Sequence, residues 1–363
     1  MRLPVSNRKR EPRGFARHGP PLIFQRLVDQ LAELERRGLR RTRLVREGPQ
    51  GPRIIVDARE CLAFCSNDYL GLANHPRIVE AAIEAASRYG VGEGASHLLS
   101  GHSAVHERLE EKLAEFMQMP RALLFSTGYQ AALAESSART RLIVTDGVFS
   151  MDGDIAPLPA VLDLCERHDA WLLVDDAHGF GVIGPEGRGS PAHFGLRSPR
   201  IVYVGTLGKA AGVAGAFVAG AQEMVETVLQ RARTYIYTTA APAMLAAAIE
   251  ASLQLIREDE WRRERLRKLI AALKRELRGV QSELASSDTP IQPLVLGGNS
   301  EAVRVSAALR ERGILVPAIR PPTVPEGTAR LRISLSAAHS EDEVMRLASA
   351  LREVCRSGIA AHA

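Results

Sequence analysis

Two stretches decide the fold: Trp171-Leu172-Leu173-Val174-Asp175-Asp176-Ala177-His178-Gly179 and Ile201-Val202-Tyr203-Val204-Gly205-Thr206-Leu207-Gly208-Lys209. Each begins with a short apolar run and ends in a polar, glycine-bearing turn. By length and composition both runs read as buried strands. Asp175 and Lys209 therefore fall at the carboxyl ends of strands, where open α/β sheets hold their ligands.

Further runs of the same kind lie at 122–125, 142–145 and 215–218, with helical signals alternating between them. That alternation predicts an α/β fold with a mostly parallel sheet and covering helices. Residues 244–284, rich in Ala, Leu, Glu and Arg, predict a long helix leading into a smaller C-terminal α+β domain. Strands are expected there at 314–319 and 329–335, then a last helix with Ser340 and Glu343 as its capping box. Upstream, 53–56 and 61–64 read as a hairpin. Ile23, Leu27, Leu31 and Leu34 recur at helical spacing, and Gly38 stops that helix. The expected divisions are a basic tail at 1–21, a helix-and-strand segment at 22–60, a large domain at 61–243 and a C-terminal domain at 244–363. No internal repeat is visible.

Lys209 stands among small residues, Gly208 and Ala210, with Gly212 and Gly215 following, so a bulky ring can approach the backbone. A buried lysine beside a carboxylate one strand away suits pyridoxal phosphate (PLP). The lysine would form the Schiff base and Asp175 would hold the pyridine nitrogen protonated. Taken singly, the lysine reads as a surface residue in a glycine loop and Asp175-Asp176 as a strand-end turn. The pairing favours the cofactor. His178 fits either a contact to the cofactor or a structural hydrogen bond. Gly128 and Tyr129 open a helix whose first N–H groups suit a phosphate. Thr206, Thr238 and Thr239 could add hydroxyl donors.

Other patterns carry less. Gly92-Glu93-Gly94-Ala95-Ser96-His97 lacks the third glycine of a dinucleotide fingerprint. Gly101-His102-Ser103-Ala104-Val105 lacks the last glycine of a nucleophile elbow. Cys61, Cys65, Cys165 and Cys355 match no zinc or redox spacing, which points to reduced thiols in a cytosolic protein and to no metal site. With 45% hydrophobic and 25% charged residues the composition is that of a soluble globular protein, with no run long enough to span a bilayer and no secretory signal. Residues 1–21 hold too few apolar side chains to pack. The net charge of +5 is modest and clustered in no nucleic-acid-binding module; it fits a solvated surface or a mild preference for anionic substrates such as coenzyme A thioesters.

Together these pieces resemble the α-oxoamine synthases, PLP-dependent acyl-CoA condensing enzymes of the aspartate-aminotransferase fold (fold type I). The resemblance rests on Phe64-Cys65-Ser66-Asn67-Asp68-Tyr69-Leu70-Gly71-Leu72, on residues 146–154 (Asp146-Gly147-Val148-Phe149-Ser150-Met151-Asp152-Gly153-Asp154), on the Asp175 and Lys209 motifs, and on Arg320-Pro321-Pro322-Thr323 with Arg330-Leu331-Arg332. It runs from about residue 22 to near the C-terminus. The Arg320–Thr323 stretch favours the member of biotin synthesis over the glycine acetyltransferase, aminolevulinate and sphingoid-base members. The resemblance implies a homodimer with active sites at the subunit interface. It further implies L-alanine and a pimeloyl thioester, on coenzyme A or a carrier protein, as substrates. Lys209 would carry PLP and move the alanine Cα proton. Ser150, His178 and Thr206 would hold the cofactor, and Thr238 and Thr239 the partner subunit's phosphate. Asn67 and Arg332 would meet the amino-acid carboxylate, and Arg40 and Thr323 the pimeloyl end.

The sequence departs from the family at one place. After Gly128-Tyr129-Gln130-Ala131, where the family has Asn, stands Ala132, and only 133–140 separate it from the run at 142. The family has several dozen residues here, including two strands and a histidine that stacks on the PLP ring. Their loss predicts a bare apolar sheet edge at 142–145. Three readings compete: an impaired enzyme, a non-catalytic PLP-binding or dimerising remnant, and a segment omitted from this sequence.

Overall fold

The computed structural model describes residues 22–127, 141–279 and 283–357. The chain forms two compact units, Met1–Arg43 and Leu44–Ala363. The described part of the first is a single helix, Leu22–Arg36, followed by Gly38 in the left-handed region.

In the second unit the strands are, in chain order, β1 (Arg46–Glu47), β2 (Arg53–Val56), β3 (Arg59–Ala63), β4 (Arg121–Phe125), β5 (Arg141–Asp146), β6 (Ala170–Asp175), β7 (Ile201–Thr206), β8 (Ala216–Gly220), β9 (Glu283–Leu284), β10 (Ile291–Gly297), β11 (Ile314–Leu315), β12 (Ala318–Ile319) and β13 (Ala329–Ser334). They make three sheets, ordered β4-β8-β7-β6-β5, β12-β13-β10-β9 and β1-β2-β3-β11. In the first, β5, β6 and β7 run parallel, while β8 runs against both β7 and β4. Four of its five strands thus share a direction, which is the mostly parallel sheet expected.

The centre of that sheet is dry on both faces. Leu172, Val174 and Ile201 pack on Leu158, Leu162 and Cys165 of the helix Leu158–Arg167. Leu173, Val202 and Val204 pack with Val225 and Tyr235 on the other side. Runs buried on both faces are the continuous apolar strands that the sequence presents.

Two expectations change. The long helix at 244–284 is two helices, Ala243–Glu258 and Glu260–Glu276, followed by β9. Asp259 breaks it, with φ −94° and ψ 59° between the two and its carboxylate accepting from Arg262 Nε at 2.9 Å. An aspartate competing for local donors favours such a break. The strand expected at 314–319 is split between two sheets, because Val316-Pro317 turns the chain after β11. The capping box holds: Ser340 N–H donates to Glu343 Oε2 at 2.9 Å, and Glu343 N–H donates to Ser340 Oγ at 3.2 Å. Among the described residues no helix is long and apolar enough to cross a membrane.

Candidate active site

The parallel register places Asp146 opposite Asp175 at the ends of β5 and β6. Lys209 follows β7 in a turn closed by Gly212 N–H donating to Lys209 O at 2.9 Å. Gly212 has φ +71°, and a Cβ there would lie 2.5 Å from Ala73 N, so only glycine lets the lysine turn meet the Leu72-Ala73 backbone. The loop from Asp68 to Ala73 is fixed in turn by the Asp68 carboxylate, which accepts from Leu72 N–H at 2.8 Å and Ala73 N–H at 3.2 Å.

Lys209 Nζ lies 3.0 Å from His178 Nε2. Burial pulls the lysine pKa down to about 8, with Arg332 adding to the fall and Asp175 and Asp146 opposing it. His178 is pushed down to about 2, first by burial and then by Lys209 and Arg332, so its ring is neutral. The Asp175 carboxylate accepts from Ala177 N–H at 3.1 Å. Its neighbour Asp176 has a different task. It is fully buried and accepts from Ser190 N–H at 2.6 Å, from the Ser190 hydroxyl and from the Tyr203 hydroxyl at 3.0 Å. Those donors fix the turn that presents Asp175 and His178. Burial nevertheless raises Asp176 to about 6.

Arg332 enters from β13, almost wholly buried. Its Nε donates to Ser150 O at 2.6 Å, and Nη1 to Ser334 Oγ at 2.8 Å and Asn67 Oδ1 at 3.3 Å. Its neighbour Arg330 pairs with Asp152. The C-terminal sheet thereby pins the loop that carries Ser150. Through the Tyr69 hydroxyl, 2.7 Å from His178 Nδ1 and 3.1 Å from Asn67 Oδ1, the structure joins Lys209, His178, Asn67 and Arg332 in one bonded cluster, with Asp146 and Asp175 beside the lysine.

The other expected site residues lie around it or apart from it. Thr206 donates its hydroxyl to Gly215 O at 3.2 Å. Ser126, Leu207, Gly215 and Thr239 line a cavity of about 280 Å³. Thr238 is half-buried and Thr239 exposed, the latter bridging Ser96. Thr323 is exposed and donates its N–H to Arg320 O at 3.1 Å. Arg40 belongs to the first unit, where Nη1 donates to Glu35 Oε2 at 3.0 Å. Gly128, Tyr129 and the short segment after Ala132 lie outside the described residues.

Sequence reasoning assigned no role to Tyr69, whose hydroxyl touches His178, or to Asp146. Both stand in the quoted motifs, but only the register and the loop packing bring them to the lysine. It also passed over the triad His97, His102 and His106, whose ring nitrogens lie within 4.8 Å of one another. Both nitrogens of His106 are engaged there, Nδ1 by Ser103 N–H at 3.1 Å and Nε2 by Ala241 O at 2.7 Å.

The donor set fits PLP. It offers an amine held near neutrality, a strand-end carboxylate, a neutral imidazole on the lysine, and open space at Gly208, where a Cβ would meet only Ala214 Cα at 3.9 Å.

Comparison with known proteins agrees. The aminotransferase class I and II family profile matches residues 59–138 and 132–351. The break between the two pieces falls where the sequence loses its family segment. The chain is 54% identical to the 8-amino-7-oxononanoate synthase of Nitrosospira multiformis, over 91% of this chain and 96% of that one. It is 52% identical to that of Nitrosomonas eutropha, over 90% and 98%. In the first alignment 379 positions take in only 91% of 363 residues, which leaves several dozen positions without a counterpart here. Among solved structures, serine palmitoyltransferase of S. paucimobilis with a bound PLP–myriocin aldimine superposes with a TM-score of 0.85 at 26% identity, covering 93% of this chain and 98% of that one. The 8-amino-7-oxononanoate synthase of Francisella tularensis gives 0.71 at 27% identity, covering 82% and 99%. The palmitoyltransferase likeness places the fold, and the far higher identity to the synthases places the branch: the chain belongs to the aminotransferase class I and II family, among the 8-amino-7-oxononanoate synthases.

Proposed function

We propose that this chain catalyses the PLP-dependent decarboxylative condensation of L-alanine with a pimeloyl thioester, giving 8-amino-7-oxononanoate for biotin synthesis. The observation that carries the reading is Lys209, 3.0 Å from a neutral His178 and held at a pKa of about 8 beside Asp175. When bound, PLP supplies an electron sink that stabilises negative charge at the amino-acid Cα.

This chain's residues do the rest. Lys209, partly unprotonated near neutral pH, would hold the cofactor and would then be placed to take the Cα proton at Nζ. Asp175 would supply the carboxylate that keeps the bound cofactor's ring nitrogen protonated, and His178 would help hold the ring beside Lys209. Arg332, pre-set by Ser150 O and Ser334, offers its planar cation with Asn67 to the alanine carboxylate, where two parallel hydrogen bonds suit a guanidinium. Thr206 would serve the phosphate end, where the sequence also expects Gly128 and Tyr129, which lie outside the described residues, and Thr323 would meet the acyl chain. The working unit in this reading is a cytoplasmic homodimer in which Thr238 and Thr239 reach the partner's phosphate. Residues 61–243 make the cofactor domain and 244–363 the C-terminal domain.

The test is the absorbance spectrum of the purified chain with PLP, before and after L-alanine, glycine and L-serine. A lysine-linked band that responds to alanine above the other two supports the reading. A stronger response to glycine would move the assignment to a glycine C-acetyltransferase. A second reading, a PLP-binding remnant of low activity, is favoured by the interrupted family match. It predicts the band without alanine-dependent turnover.

A further inference from the structure

Tyr69 is the residue through which His178 is held. It is fully buried, and its carbonyl accepts from Ala337 N–H at 2.7 Å. Its hydroxyl lies 2.7 Å from His178 Nδ1 and 3.1 Å from Asn67 Oδ1, and Arg332 Nη2 donates to it at 3.4 Å. A phenol has one proton and cannot donate to both neighbours at once.

The choice is coupled to Lys209. A charged Lys209 can only donate, so His178 Nε2 must accept. The ring proton then sits on Nδ1 and donates to the Tyr69 oxygen, and the Tyr69 proton turns to Asn67 Oδ1. A neutral Lys209 can accept from Nε2–H. Nδ1 is then bare, and the Tyr69 proton turns to it. Each arrangement satisfies all three side chains. Between them one proton is lost to solvent, the His178 proton changes nitrogen, and the Tyr69 hydroxyl rotates.

We propose that Tyr69 is a positioning residue that selects which nitrogen of His178 carries the proton and lets that selection follow the state of Lys209. The inference rests on Lys209 being the cofactor lysine. The other charged groups facing Lys209 are Asp175, Asp146, Asp176 and Arg332, and those facing His178 are Lys209 and Arg332. Among the described residues Tyr69 alone meets Nδ1. Burial raises the Tyr69 pKa, so it stays a phenol through the working range.

The experiment uses the full chain stripped of cofactor. The rate at which PLP is captured and fixed on Lys209 by borohydride is followed against pH, giving a midpoint near 8 in the native protein. In Tyr69→Phe the charged lysine donates to a ring whose Nδ1–H has lost its acceptor. A charge-assisted bond loses polarisation and a buried N–H is orphaned, so the midpoint falls by about one pH unit. A residue that only fills space leaves the midpoint where it was. In parallel, 15N shifts of the His178 ring in the native chain report the protonated nitrogen, expected to be Nδ1 below the midpoint and Nε2 above it. The same nitrogen on both sides, or an unmoved midpoint in Tyr69→Phe, overturns the proposal. If Tyr69→Phe does not fold, the native 15N result decides. No capture by the native chain would instead sink the cofactor reading.

Discussion

The two edges of the five-stranded sheet are finished in different ways. At one edge β4 is buried along most of its length, and the outward N–H of Leu124 donates to Glu110 Oε1 at 2.9 Å. Glu110 comes from the helix Ala104–Met117, which covers that side. At the other edge β5 pairs only with β6 among the described residues, and Leu142 and Val144 are 37% and 61% exposed. An apolar strand with unpaired backbone is a template for another chain. The difference teaches where the cost of the missing family segment falls. Asp175 and Lys209 hang from β6 and β7, which remain buried, while Asp146 stands on the unfinished strand itself.

If the buried centre carries the chemistry, substitutions there should cost most. Lys209→Ala should lower turnover more than about a thousandfold and abolish the borohydride-fixed adduct, because among the described residues Lys209 is the amine that faces Asp175. A retained adduct would move the lysine assignment. Asp175→Asn keeps the shape and removes the charge. It should cost about a hundredfold in kcat with little change in fold, checked by kinetics alongside circular dichroism. Gly205→Ala tests the packing of the same strand, since a Cβ there would lie 2.3 Å from Phe217 Cε1. It should destabilise by about 2 kcal/mol in urea unfolding.

The edges answer to smaller changes. Burial lifts Glu110 to about 8, so it is uncharged in the fold. Between pH 4.5 and about 8 the unfolded chain releases a proton that the folded chain keeps. The fold therefore loses stability as pH rises through that window. Glu110→Gln keeps an acceptor for Leu124 N–H and should remove most of this pH dependence, several kcal/mol across the window, read from unfolding at several pH values. An unchanged slope would mean that the covered edge does not depend on that proton. Smallest in folding energy is Val144→Lys on the bare edge. It should change stability by less than about 0.5 kcal/mol yet slow concentration-dependent aggregation, measured by light scattering. No effect on aggregation would mean that the edge is covered in solution.

The sequence alone determined the strands at the sheet centre, because apolar runs followed by glycine turns have few other uses. It located Asp175 and Lys209 at strand ends, named the family, and marked the break after Ala132. It read residues 244–284 as one helix, since composition does not reveal that Asp259 takes a non-helical conformation. Tertiary structure decided what composition and spacing cannot encode. The register set Asp146 beside Asp175. The return of β13 carried Arg332 across to Ser150 and Asn67, residues far from it in the chain. The fold of the Asp68–Ala73 loop put the Tyr69 hydroxyl on His178. Each of these depends on long-range packing, in which partners distant in sequence meet only after the sheets have formed. That is why the two ends of the chemistry were legible in the sequence and the hydrogen-bonded network that tunes them was not.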